Sequence, residues 1–162
     1  MKFLNTYEDA RLERAKRRKL EPKVVWRGSW EEGEHKLYDG MFFSEDRLYA
    51  TVFGNNIEKY IIHPKKTLNL FKYNTIWNNY VSENLESHPY SALDRNLFHM
   101  HSNEIRDGWE VYMDRLYNAD LKEVADQFMK ELKECDSIFG PDAGNDRSRV
   151  WYMKSKNDVE KA

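Results

Sequence analysis

The apolar period of this chain changes twice, and that change constrains the fold more than any single motif. From Lys23 to Phe71 the apolar residues come in runs of strand length: Lys23 to Arg27, Met41 to Phe43, Ile57 to His63 before Pro64, and Thr67 to Phe71. Helical spacing then takes over, across Tyr73 to Leu85, Ile105 to Tyr117 and Leu121 to Lys133. In the last of these, Leu121, Val124, Ala125, Phe128, Met129 and Leu132 share one face. Strand-like runs return at Ser137-Ile138-Phe139 and Val150-Trp151-Tyr152-Met153, around a loop from Gly140 to Asp146. Strands, then helices, then strands specify an α+β domain. The stretch from Glu86 to Asn103 fits neither period.

A length of 162 residues suits one domain with a real core. The chain divides into a charged helix over 1–22, strands over 23–71, a helical insertion over 72–135 and closing strands over 136–162. The first helix is read from Tyr7 to Leu20 and stops at Glu21-Pro22, because proline disfavours helix at the residue before it. Lys and Arg number 26 against 28 Asp and Glu, a net charge of −2, so no bulk attraction toward nucleic acid is expected. The local exception, Arg14-Ala15-Lys16-Arg17-Arg18-Lys19, reads as a solvated helix face or a patch for an acidic partner. One cysteine, Cys135, forbids an internal disulfide and fits a reducing compartment. No apolar run nears the roughly 20 residues that span a bilayer, and no secretory signal opens the chain. A cytoplasmic monomer is the expectation, in a host cytoplasm if the chain is phage-encoded.

Two strands end on polar groups. Arg27 closes Lys23-Val24-Val25-Trp26-Arg27, and Ser44 closes Met41-Phe42-Phe43-Ser44. Ser44 also reads as the N-cap of a short helix with Glu45 and Asp46 in its first turn. Leu48 and Val52, with Tyr49, are read as that helix's buried face, and Gly54-Asn55-Asn56 as its stop. A cation and a hydroxyl on adjacent strand ends form a small site for anions and hydroxyls, which suits a nucleotide. His99-Met100-His101, with His88 nearby, lacks the Cys or carboxylate that completes a zinc set, so no metal is assigned. The aromatic helices carrying Trp77, Tyr80, Trp109 and Tyr112 read as core.

Trp26-Arg27-Gly28, together with Gly40-Met41-Phe42-Phe43-Ser44, Ala50 and Phe53, resembles the ADP-ribosyltransferase superfamily in its Arg–Ser–Glu branch. The likeness is greatest to small transferase-like domains of phages and mobile elements. It covers residues 23 to 71 well and 136 to 153 more loosely, through Asp136-Ser137-Ile138 and Val150 to Met153; the helical middle is outside it. Two positions depart from the pattern. Glu45-Asp46 follow Ser44 where Thr-Ser is usual, and Ser148-Arg149 stand where the catalytic glutamate is expected. An acid must then be an aspartate: Asp136 or Asp146, with Asp142 third.

The resemblance implies a split β-sheet core with flanking and inserted helices, and a mono-ADP-ribosyltransferase that takes NAD as co-substrate without a metal. The acceptor would be a macromolecule, foremost a protein of a bacterial cell, a defence component included. In such a site Arg27 holds the ribose or diphosphate through its planar donor fork. Ser44 bonds the nicotinamide ribose, Tyr49 or another aromatic stacks on the nicotinamide, and Trp26 and Phe43 also bind the cofactor. Gly28 lets backbone approach the carboxamide. The acid stabilises positive charge developing on the ribose. The alternative is the same fold without catalysis, acting as a binding protein or inhibitor.

Overall fold

The structure, a computed structural model, describes residues 21–84 and 97–162. The helix read over Tyr7 to Leu20, the basic run Arg14 to Lys19 and His88 lie outside the described residues. The elements run β1 (Lys23–Ser29), β2 (Met41–Ser44), α1 (Arg47–Ala50), a 3-10 turn (Thr51–Phe53), β3 (Asn56–Ile62), β4 (Thr67–Asn69) and α2 (Leu70–Glu83). Then come α3 (Ser102–Asp107), α4 (Glu110–Asn118), α5 (Lys122–Glu134), β5 (Ser137–Asp142), β6 (Asn145–Met153), a second 3-10 turn (Lys156–Asp158) and β7 (Val159–Lys161). The α+β expectation holds. Among the described residues seven strands form one mixed sheet in the order β4-β5-β6-β2-β1-β3-β7. All its pairs are antiparallel except β4 with β5.

The sheet has a weak seam. β1 pairs with β3 over its whole length, from Lys23↔Ile62 to Ser29↔Asn56, and β2 pairs with β6 from Met41↔Met153 to Ser44↔Val150. Between these halves only Trp26↔Ser44 registers β1 against β2. Beyond that pair, toward Ser29 and Met41, the two strands part.

Alternation sends neighbouring side chains to opposite faces. Ile138 and Val150 join the core under the helices, with Leu68, Tyr73, Trp77, Phe98 and Phe128, whereas Phe139 and Trp151 join Val25, Met41, Phe43, Tyr60 and Ile62 on the other face. α5 turns Ala125 and Phe128 inward with Val124 and Leu132 beside them, while Met129, read as part of that face, is 43% exposed at its margin. Phe128 stacks on Phe98 at 4.7 Å and meets Tyr73 and Trp109 edge-on. Burying such a ring contributes about 1.5–3 kcal/mol.

Local chemistry redraws several boundaries. The strand read to Phe71 stops at Asn69, whose side chain accepts the Phe71 N–H at 3.0 Å and caps α2. The helix read from Ile105 to Tyr117 is two helices, α3 and α4. Gly108 (φ 63°) and Trp109 (φ 51°) both turn left-handed between them. Trp109 is fully buried and its Nε1 donates to the His99 carbonyl, contacts that offset the strained backbone. The loop read from Gly140 to Asp146 is a tight hairpin in which only Ala143-Gly144 separate the strands, with Gly144 at φ 81°.

The cap of α1 is Asp46, not Ser44: Asp46 Oδ1 accepts the Leu48 N–H at 2.9 Å. Of the buried face assigned to that helix, Tyr49 packs partly buried against the core, but Leu48 and Val52 do not. Leu48 is 77% and Val52 61% exposed, and Ala50 is the residue α1 buries, against β1. β7 lies beyond the strands read at the end of the chain and buries Val159 beside Ile62. Among the described residues no helix is long and apolar enough to cross a membrane.

Candidate functional site

Where β1 and β2 part, a cavity of about 510 Å³ opens. β1 supplies Trp26, Arg27 and Gly28 to its wall, and β2 supplies Phe42, Phe43 and Ser44. Asp142 at the end of β5 and Val150 of β6 complete that side. The connection from β1 to β2 adds Trp30, Glu31 and Tyr38, the 3-10 turn adds Phe53, and the helical region adds Met100, His101 and Ser102.

Arg27 fills the seam. Its Nη2 donates to the Tyr38 hydroxyl at 2.7 Å and its Nη1 to the Phe42 carbonyl at 3.4 Å, and the guanidinium lies 5.2 Å from the centre of the Tyr38 ring. Among the described residues no carboxylate makes an ion pair with it. A half-buried guanidinium with neutral partners keeps its positive charge for an incoming anion.

Ser44 is 2% exposed, and its hydroxyl donates to the Asp46 carbonyl at 2.9 Å while accepting the Asp46 N–H at 3.0 Å. Its proton is engaged in the turn, which leaves one lone pair for a ligand. Gly28 lines the cavity, but the space its missing side chain frees is taken by the protein: a Cβ there would fall 2.0 Å from the Ala50 carbonyl oxygen. The glycine admits α1 rather than a carboxamide.

Asp142 is the aspartate that reaches the cavity. Its Oδ2 accepts the Tyr49 hydroxyl at 2.7 Å, and its Oδ1 accepts the Ala143 N–H at 3.0 Å. Its own N–H donates to Ser148 Oγ at 2.7 Å, so the serine standing near the expected glutamate position holds the acid's backbone. Burial, reinforced by the Asp142 carboxylate, pushes the Tyr49 phenol up to about 12. Tyr49 therefore stays protonated as a donor. It sits behind Asp142 and edge-on to Phe53 at 5.9 Å, outside the cavity lining, so the stacking role read for it is not what the geometry provides.

The two aspartates ranked first lie elsewhere. Asp136 precedes β5, about 20 Å along the strand from Asp142, and binds the Lys65 and Lys66 N–H groups and the Ser137 hydroxyl. It ties the β3–β4 connection to β5. Asp146 is exposed on the far arm of the hairpin and does not line the cavity. Glu45 faces away, bound by Arg149 at 2.7 Å and by Trp151 Nε1 at 3.0 Å. Among the described residues no group of three or more His, Cys, Asp or Glu is placed to hold a metal ion. His99 packs edge-on to Tyr112, and His101 caps α3.

Sequence reasoning missed Trp30, Tyr38, His101 and Ser102 as lining residues. Trp30, an aromatic placed directly after the Gly28-Ser29 strand end, was the available signal; His101 and Ser102 arrive from a distant segment and had none.

No protein-family model matches the chain, and no curated protein matches it. A solved structure described as the crystal structure of an anti-CRISPR protein is similar to it, at a TM-score of 0.38 and 15% identity, over 87% of this chain and 96% of that one.

Proposed function

We propose that the chain is a mono-ADP-ribosyltransferase with an ADP-ribosyltransferase-like fold, using NAD as co-substrate and a bacterial protein as acceptor. One observation carries the reading. Trp26, Arg27, Gly28, Phe43 and Ser44, picked out by the resemblance, converge on one cavity, and a carboxylate lines it with them. The volume of about 510 Å³ falls within the range of about 300–1,000 Å³ usual for small-molecule sites. Aromatic walls and a cation without an ion-pair partner among the described residues complement a molecule that has both ring and diphosphate parts. The seam at Trp26↔Ser44 fits a split sheet.

NAD, when bound, supplies a ribose whose bond to nicotinamide breaks on transfer. Arg27 binds phosphate oxygens through its remaining N–H groups. Asp142, oriented by Tyr49 and Ala143, sets a fixed negative charge beside the ribose, where positive charge develops. Trp26 and Phe43 keep water from the rings. A macromolecular acceptor is supported by exposed apolar side chains, two of them (Trp30 and Phe53) lining the cavity and two (Leu48 and Val52) on α1 and the turn after it. Trp30 is 71%, Leu48 77%, Val52 61% and Phe53 43% exposed, apolar side chains available to a partner surface.

Nicotinamide release from NAD tests the reading. The wild type releases it; Arg27→Ala and Asp142→Asn, folded by circular dichroism, do not. A wild type that neither binds nor consumes NAD leaves the alternative, a catalytically silent binding protein.

A further inference from the structure

The helical region holds one short segment with unusual firmness. Asn74 and Phe98 exchange two hydrogen bonds, each 2.7 Å, so that α2 clamps the backbone there. Two residues on, the Met100 N–H donates to the Pro141 carbonyl at 2.6 Å, and Met100 lies against Asp142 as a parallel bridge, buried at 1% exposure. His101, itself exposed, thereby lines the same cavity as Asp142. Its Nδ1 accepts the Asn103 N–H at 3.1 Å. A nitrogen that accepts carries no proton, so the neutral ring bears its hydrogen on Nε2 and offers it as a donor. Among the described residues Nε2 has no partner.

We infer that His101 is a ligand-binding residue of the cavity and that its Nε2–H donates to a hydroxyl of the nicotinamide ribose; this rests on the NAD reading above. A carboxylate and an N–H donor lining one cavity match a sugar hydroxyl, which donates to the first and accepts from the second. A phosphate in that position would be repelled by Asp142. Arg27, in the seam on the other wall, takes the diphosphate. The inserted segment then supplies part of the substrate site as well as part of the core.

Two substitutions separate binding from capping. His101→Asn keeps a short side-chain acceptor for the α3 cap but loses the distant donor. His101→Gln loses the cap acceptor but carries an N–H near the position of Nε2. Affinity is read from quenching of Trp26 and Trp30, with NAD and with ADP, which has the diphosphate but lacks the second ribose. The expected result is NAD binding weakened about tenfold in His101→Asn, largely kept in His101→Gln, and ADP binding alike in all three proteins. Unchanged NAD affinity in His101→Asn, or loss in His101→Gln alone, makes His101 a cap and overturns the inference while the NAD site stands. Equal weakening for ADP moves the donor to the diphosphate and overturns the ribose assignment. A wild type that binds neither nucleotide removes the NAD reading and this inference together.

Discussion

The Tyr49 hydroxyl donates to Asp142 at 2.7 Å across 93 residues of sequence, joining α1 to the end of β5 at the edge of the cavity. That bond fixes the carboxylate's direction, and Asp142 at the end of β5 is expected to behave differently from Asp136, which precedes the strand. Asp142→Asn removes the charge without altering the shape and is expected to lower nicotinamide release by about 10²–10³-fold with little change in stability. Asp136→Ala strips three donors of their acceptor and is expected to destabilise the fold by about 1–3 kcal/mol, with turnover per folded molecule kept. Urea denaturation and single-turnover assays of both variants check the pair.

The same bond makes a pH prediction. The Tyr49 phenol is raised to about 12, by burial first and then by the Asp142 carboxylate, against a usual value near 10. A raised folded-state value means that the stabilisation is fully present below about pH 10 and is lost as pH rises from there through about 12. Tyr49→Phe is expected to flatten that alkaline loss relative to wild type. Denaturation midpoints measured through the alkaline range decide it; an identical alkaline slope in both proteins contradicts the assignment.

Gly28 is predicted to tolerate no side chain. A Cβ would fall 2.0 Å from the Ala50 carbonyl oxygen and 2.7 Å from that of Gly54, both backbone atoms. Gly28→Ala must push α1 away from β1, at a cost of about 1–3 kcal/mol or more, and carry Tyr49 off Asp142. Thermal unfolding is expected to show the loss. Nicotinamide release should fall as well, because the acid loses its orienting partner.

If the exposed apolar side chains receive the acceptor, substitutions there separate acceptor binding from chemistry. Leu48→Asp with Val52→Asp places two charges on side chains that are 77% and 61% exposed. Such changes leave stability within about 0.5 kcal/mol. Hydrolysis of NAD without an acceptor should persist while protein labelling falls at least tenfold. Equal labelling places the acceptor elsewhere.

How much of this was legible in the sequence follows from range. The period changes located the strands and helices because apolar spacing is a local property, and Arg27 and Ser44 announced themselves at strand ends. Caps were harder: Ser44 and Asp46 are both capping residues two positions apart, and only geometry shows that Asp46 takes the Leu48 N–H. Leu48 and Val52 fit a buried helical face by spacing, yet α1 is so short that burying Ala50 suffices to dock it. Asp142 ranked third among the aspartates because Asp136, Asp142 and Asp146 look alike in sequence. The turn at Ala143-Gly144 is what brings Asp142 to the cavity and sends Asp146 past it. That His101 lines the cavity was illegible because Asn74, Pro141 and Asn103 place it, and no spacing rule relates those positions.

The most direct test of the central claim is incubation of the purified chain with labelled NAD and a bacterial lysate, wild type beside Arg27→Ala, Asp142→Asn and Asp146→Ala. The account predicts a labelled protein band in the wild type and in Asp146→Ala, absent in Arg27→Ala and Asp142→Asn. No label and no NAD consumption by the wild type, or labelling that survives loss of Asp142 and disappears with Asp146, would contradict it.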